Sequence, residues 1–60
     1  MQTNDLLPLE IIQRKLEDRR LPLVAKRAGL SHPTVKRVAN GDLNITLSTW
    51  RALSEYFRED

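Results

Sequence analysis

Leu-Pro-Leu-Val-Ala-Lys-Arg-Ala-Gly-Leu-Ser-His-Pro-Thr-Val-Lys-Arg-Val-Ala-Asn-Gly, running from Leu21 to Gly41, is the stretch whose spacing decides the fold. Ala25 precedes Gly29 by four residues, and Val35 and Val38 follow it by six and nine. Two helices that cross at about 90 to 120° through a turn of 3 to 4 residues need a small side chain where they touch, and Ala25 supplies it. Gly29 stands where the chain leaves the first of these helices and must turn sharply; glycine takes a positive φ there without a Cβ clash. Leu30 then folds back toward the core, and Ser31 offers an oxygen to the open amides of the next helix. On that helix Val35, Val38 and Ala39 fall at i, i+3 and i+4, the spacing of a buried stripe. Pro33, Lys36, Arg37 and Asn40 fall at i, i+3, i+4 and i+7 on another face, which is left to contact something outside the domain.

Outward from this stretch, Asp5 is placed to cap a helix with Pro8 in its first turn, where proline has no intrahelical amide bond to lose. That helix is expected to run to Arg19 or Arg20, with Leu9, Ile12 and Leu16 facing the core and Glu10, Arg14, Glu17 and Asp18 outward. Pro22 restarts the helical pattern over about 22–28, with Val24 and Ala28 inward. The third helix starts at Ser31 or His32, because the residue before a proline is pushed out of the helical region, and it stops at Asn40-Gly41-Asp42 with Asn40 or Gly41 left-handed. After a connection through Leu43, Asn44 and Ile45, Thr46 caps a fourth helix over about 47–58, Thr49 replacing the Glu or Gln of a full capping box. Leu47, Trp50, Leu53 and Phe57 make its inner stripe, and Tyr56 falls off it. Residues 1–4 carry no periodicity and are expected to be frayed. The expected fold class is all-α: one small four-helix domain over residues 1–60, with no strand pattern and no internal repeat.

Composition narrows the function classes. A chain of 60 residues buries only about 60% of its unfolded surface, so an active-site cleft with a lid is not expected. It has no cysteine and one histidine, His32, which leaves neither a disulfide framework nor a zinc cluster. No apolar run approaches the roughly 18 residues of a membrane span, and the N-terminus lacks the basic start and apolar centre of a signal peptide. The expectation is a soluble, cytoplasmic protein with no cofactor, no metal and no small-molecule ligand. Nucleophilic and phosphate-loop chemistry need Ser-His-Asp sets or glycine-rich loops; the two isolated glycines offer neither. The protein is not expected to be an enzyme.

Net charge is only +2, but it is unevenly spread. Residues 1–18 set Arg14 and Lys15 against Asp5, Glu10, Glu17 and Asp18, and residues 42–60 set Arg51 and Arg58 against Asp42, Glu55, Glu59 and Asp60, so each flank is acidic by two charges. Residues 19–41 hold Arg19, Arg20, Lys26, Arg27, Lys36 and Arg37 with no acid, a block of +6 over the two central helices. Such a block is the electrostatic footprint of nucleic-acid binding.

The residues from Val24 to Gly41 are similar to the helix-turn-helix of the lactose-repressor family. The whole layout, with a helix before the motif and the Thr-capped helix beginning Thr46-Leu47-Ser48-Thr49-Trp50 after it, resembles the phage Cro and repressor family of helix-turn-helix proteins over about residues 9–57. The resemblance implies a lambda-repressor-like fold. Leu21 departs from the glutamine that often binds phosphate at the start of the second helix in the phage family, and Pro33 departs from a polar base-reading residue. The hinge and sugar-binding domain of the lactose-repressor family have no counterpart here, so no inducer response is implied.

Both families bind operator DNA, and the resemblance implies sequence-specific double-stranded DNA binding by a transcriptional regulator, a small repressor that occludes a promoter in a bacterial or phage-infected cell. It puts the exposed face of the third helix in the major groove, where each base pair shows a distinct donor and acceptor pattern. Base-edge roles then fall to Arg37, Lys36, His32 and Pro33. Arg37 suits guanine O6 and N7, Lys36 guanine or phosphate, Pro33 either a thymine methyl or only the start of the helix, and His32 either a base or phosphate contact or only an exposed helix-start position. Ser31, Thr34, Asn40, Lys26 and Arg27 fall to phosphate contacts, which fix register without reading sequence. The alternative is an antitoxin-like helix-turn-helix protein whose main partner is another protein. One helix offers about four base-reading side chains, too few to single out a site among roughly 10⁶ competing genomic sites. Two copies are therefore expected on DNA. Because the chain ends three residues after Phe57, only Tyr56, Leu43 and Ile45 are left as a small apolar patch. The expected free state is a monomer or weak dimer, pairing on half-sites about 34 Å apart.

Overall fold

Ile12, Leu16, Val24, Ala25, Val35, Val38, Leu53 and Phe57 form one buried cluster, and every helix of the domain contributes to it. The computed structural model describes residues 6–42 and 44–59. Its helices are α1 (Leu9–Leu16), α2 (Leu21–Ala28), α3 (His32–Ala39) and α4 (Leu47–Glu59), with no strand among the described residues. The all-α, four-helix expectation holds. α3 packs on α2 and α1, and α4 packs on the same two helices, so the four helices close a ring around the core.

The helix ends differ from expectation at α1 and α2. The Asp5 cap lies outside the described residues. Pro8 is itself the N-cap of α1, with φ −58° and an extended ψ of 141°. Its carbonyl accepts from the amides of Ile11 and Ile12 at 3.0 and 3.1 Å. α1 ends at Leu16 rather than Arg19 or Arg20. The next three amides reach back only three residues, Glu17 to Arg14, Asp18 to Lys15 and Arg19 to Leu16, at 3.1 to 3.3 Å, so the end tightens as helix termini commonly do. The cause lies just downstream: Arg20 is the extended N-cap of α2 and cannot also belong to α1. α2 then starts at Leu21, one residue before Pro22.

The other caps follow the sequence. Gly29 takes φ 76°, and the Leu30 amide donates to the Ala25 carbonyl at 2.8 Å. That is the six-to-one bond of a left-handed helix ending, with the following apolar residue packed on the core. Ser31 caps α3, its Oγ accepting the Thr34 amide at 3.3 Å. Gly41, not Asn40, is left-handed, at φ 101°. Its amide donates to Val38, and the Asp42 amide donates to Arg37, both at 3.0 Å. Thr46 Oγ1 accepts the Thr49 amide at 3.2 Å and donates to Thr49 Oγ1 at 3.0 Å, so Thr46 caps α4 while Thr49 holds the capping hydroxyl in place of the backbone contact a Glu or Gln would make.

α4 departs most from its expected stripe. Leu47 is 56% exposed, because at the first position of the helix it lies beyond the edge of the core. Thr49 and Ser54 are buried in its place, Ser54 completely. Ser54 lies four residues after Trp50 and three before Phe57, so the inward face is wider than an apolar-only reading allows. Ser54 Oγ accepts the Leu7 amide at 2.9 Å, and Trp50 Nε1 donates to the Leu7 carbonyl at 2.6 Å. Both polar groups of one peptide-backbone residue are thus satisfied by α4, which pins the segment before α1 to the C-terminal helix. The apolar patch also differs. Tyr56 is half-buried, its ring edge-on to Phe57 at 5.0 Å, and Ile45 packs against the core, whereas Leu43 lies outside the described residues. Among the described residues the large exposed apolar side chains are Ile11, Leu23 and Leu47.

Ser54→Ala keeps the helix and deletes the acceptor for the Leu7 amide. The hydrogen bond is part-buried, so its loss should cost about 1 kcal/mol, and urea unfolding should show a lower midpoint with an unchanged slope. An unchanged midpoint would mean that the Leu7 segment is not anchored through Ser54.

Candidate nucleic-acid interface

α3 has two faces of opposite character. Val35 and Val38 are completely buried, and His32, Pro33, Lys36, Arg37 and Asn40 are exposed. The burial of the valines against α2 and α1 fixes the rotation of the helix about its axis, so the polar stripe points outward by default. The four residues assigned to base edges therefore share one exposed face. Pro33 serves also as a helix starter within the first turn of α3, where its missing amide is no loss.

The five residues assigned to phosphate contacts divide by what they already do. Lys26 and Arg27 are exposed in the last turn of α2. Asn40 is exposed just past α3, and its amide donates to the Lys36 carbonyl at 3.0 Å. Ser31 and Thr34 are tied together, their hydroxyl oxygens 2.7 Å apart. One of the two hydroxyls donates to the other, and the remaining hydroxyl proton is available to an outside acceptor.

The basic block does not act as one patch. Arg19 lies over the Phe57 ring at 5.3 Å from its centroid, with Lys15 at 5.9 Å, an arrangement that favours cations over an aromatic face. Its charge therefore belongs to the junction of α1 and α4. Lys26, Arg27, Lys36 and Arg37 stand on the packed pair α2 and α3, with Arg20 at the start of α2.

The sequence reading missed the partner of Arg37. Its Nε and Nη2 both donate to Asp42 Oδ2, at 3.1 and 3.0 Å, and Asp42 Oδ1 accepts the Asn44 amide at 3.2 Å. The pair is exposed, with 65% of the Arg37 side chain and 42% of the Asp42 side chain accessible. The signal was present in Asn40-Gly41-Asp42: a left-handed glycine turns the chain back on the helix, so the residue after it returns beside the last turn. The guanidinium of Arg37, and then the Asn44 amide, hold the Asp42 carboxyl below its usual range. Thr34 and Arg37 also line a shallow cavity of about 140 Å³ with Asn44, Ile45, Thr46 and Thr49, between α3 and the start of α4. Among the described residues no group of His, Cys, Asp and Glu could hold a metal ion, and no helix is long and apolar enough to cross a membrane.

The family model for helix-turn-helix domains of the Cro and repressor type matches residues 12–60, which takes in α2, α3, α4 and most of α1. No curated protein and no solved structure matches the chain.

Because the folded pKa of Asp42 is depressed, the stability it contributes is complete above the ordinary carboxylate value of about 3.9 and is lost as pH falls through the lower folded value. The difference in melting temperature between wild type and D42N should be constant from pH 7 to about pH 5 and should close at lower pH. A difference that persists to pH 2 would contradict the pairing.

Proposed function

This chain belongs to the helix-turn-helix family of DNA-binding transcription regulators of the Cro and repressor type, and we propose that it reads a specific operator with the exposed face of α3 and represses by occluding a promoter. The observation that carries this reading is the division of α3. Two buried valines hold one side, and the other presents Lys36 and Arg37 with His32, Pro33 and Asn40. A helix of this diameter fits the major groove.

The roles follow from donor chemistry. Arg37 reads guanine through paired donors to O6 and N7, a contact that discriminates by about 1 to 3 kcal/mol. Lys36, a compact point charge, reads guanine or holds phosphate. Pro33 has no donor and offers apolar contact to a thymine methyl, and His32 donates to a base edge or phosphate. Ser31, Thr34, Asn40, Lys26 and Arg27 hold phosphates and set register. Occlusion is the mechanism for which DNA occupancy alone suffices, in a bacterial or phage-infected cell. Two copies act together on half-sites about 34 Å apart, since four side chains from one helix carry too little information for a genome. A whole operator should accordingly bind much more tightly than an isolated half-site, and equal affinity for the two would show a monomeric mode of action.

Affinity and specificity separate in one titration series. If Arg20, Lys26, Arg27 and Lys36 neutralise roughly four phosphates per copy, log K should fall with log salt at a slope of about −3 to −4 per copy. Arg37→Ala should cost about 1 to 3 kcal/mol on a selected site and relax preference at one base pair, whereas Lys26→Ala should weaken all duplexes alike. A flat salt response would remove DNA as the partner. Equal losses on selected and random duplex for both variants would remove Arg37 from the base edge.

A further inference from the structure

A guanidinium carries five N–H donors in a rigid planar fork. In Arg37 the donors on the Nε side of the plane, Nε–H and one hydrogen of Nη2, converge on a single Asp42 oxygen. The far edge, made by Nη1 and the second hydrogen of Nη2, keeps two parallel donors. That edge matches a pair of acceptors such as O6 and N7 of guanine. Asp42 is itself held in place: its second oxygen accepts the Asn44 amide, and its own amide donates to the Arg37 carbonyl at 3.0 Å. Backbone and side chain together fix the carboxylate relative to the last turn of α3.

Asp42 is also the acid that ends the acid-free block. An exposed ion pair adds little to folding stability, and a carboxylate beside a polyanion lowers affinity for every duplex. A residue with those two costs and gains makes sense as a device for selectivity. An arginine whose charge is balanced is a poor phosphate clamp, while its directed donors still recognise a base edge. Resting on the reading of α3 as the base-reading helix, we propose that Asp42 is a positioning, specificity-determining residue: it turns the far edge of Arg37 toward guanine and cancels the charge that would otherwise draw Arg37 to the phosphate backbone.

The test compares wild type, D42N, R37A and the double variant on a duplex selected from a random pool and on random duplex, each across a salt series, with thermal unfolding recorded for every protein. D42N keeps an acceptor for the Asn44 amide and removes the charge. It should bind random duplex several-fold more tightly, with a salt slope steeper by about 0.9 per copy as Arg37 moves to a phosphate, and its ratio of selected to random affinity should fall about tenfold. In the R37A background the same change should move that ratio less than about twofold. D42E, which keeps the charge but lengthens the arm, should lose the ratio without steepening the slope. A D42N ratio equal to wild type, or an equal loss with and without Arg37, would overturn the proposal while leaving α3 as the reader. An R37A protein with undiminished base preference would instead overturn the assignment of Arg37 itself, and the proposal with it.

Discussion

The burial of Val35 and Val38 is the constraint on which the outward chemistry of this domain depends. Both are completely buried, and at about 1.5 kcal/mol or more each they are a large share of what can hold an eight-residue helix that would not persist alone in water. Rotating α3 to expose them would carry Lys36 and Arg37 inward, where unpaired charges are not tolerated. The same contacts that close the core therefore decide which side chains meet a partner.

Two left-handed glycines translate that constraint into a surface. Gly29 lets α2 end and the chain swing into α3 over the three residues Gly29, Leu30 and Ser31, with Leu30 anchoring the turn to the core. An added Cβ at Gly29 would meet no atom within 4 Å, so the demand there is on backbone conformation and not on space. Gly41 does the corresponding work at the far end, and its consequence is chemical: it returns Asp42 to Arg37. The Leu7 backbone is clasped by Ser54 and Trp50, which joins the segment before α1 to α4.

Much of this was legible in the sequence because the governing forces are local. The valine spacing, the Ser31 and Thr46 caps and the glycine stop after α2 each act within one or two turns, and the match to the helix-turn-helix family over residues 12–60 agrees with them. What was not legible depends on contacts made across the fold. Ser54 looks like a surface residue until the partner 47 residues away, Leu7, is known. Leu47 has the right spacing for the α4 stripe and the wrong height on the helix. α1 stops early because Arg20 is needed as an extended cap, a competition between neighbouring helices that periodicity does not register. Arg19 counted toward a basic face by sequence position and was drawn to Phe57 by geometry. Arg37 and Asp42 stood on opposite sides of a helix stop, and only the turn's handedness joins them.

The central claim is that the outward face of α3 is the surface that meets DNA. Amide chemical-shift mapping during titration with duplex DNA tests it most directly, since it reports every backbone position at once. The expected result is a set of shifts concentrated over residues 31–41 and at Lys26 and Arg27, with the Ser54 and Phe57 amides on the far side of the core unmoved. Shifts centred on the exposed side of α4, from Leu47 to Glu55, with α3 unperturbed, would contradict it.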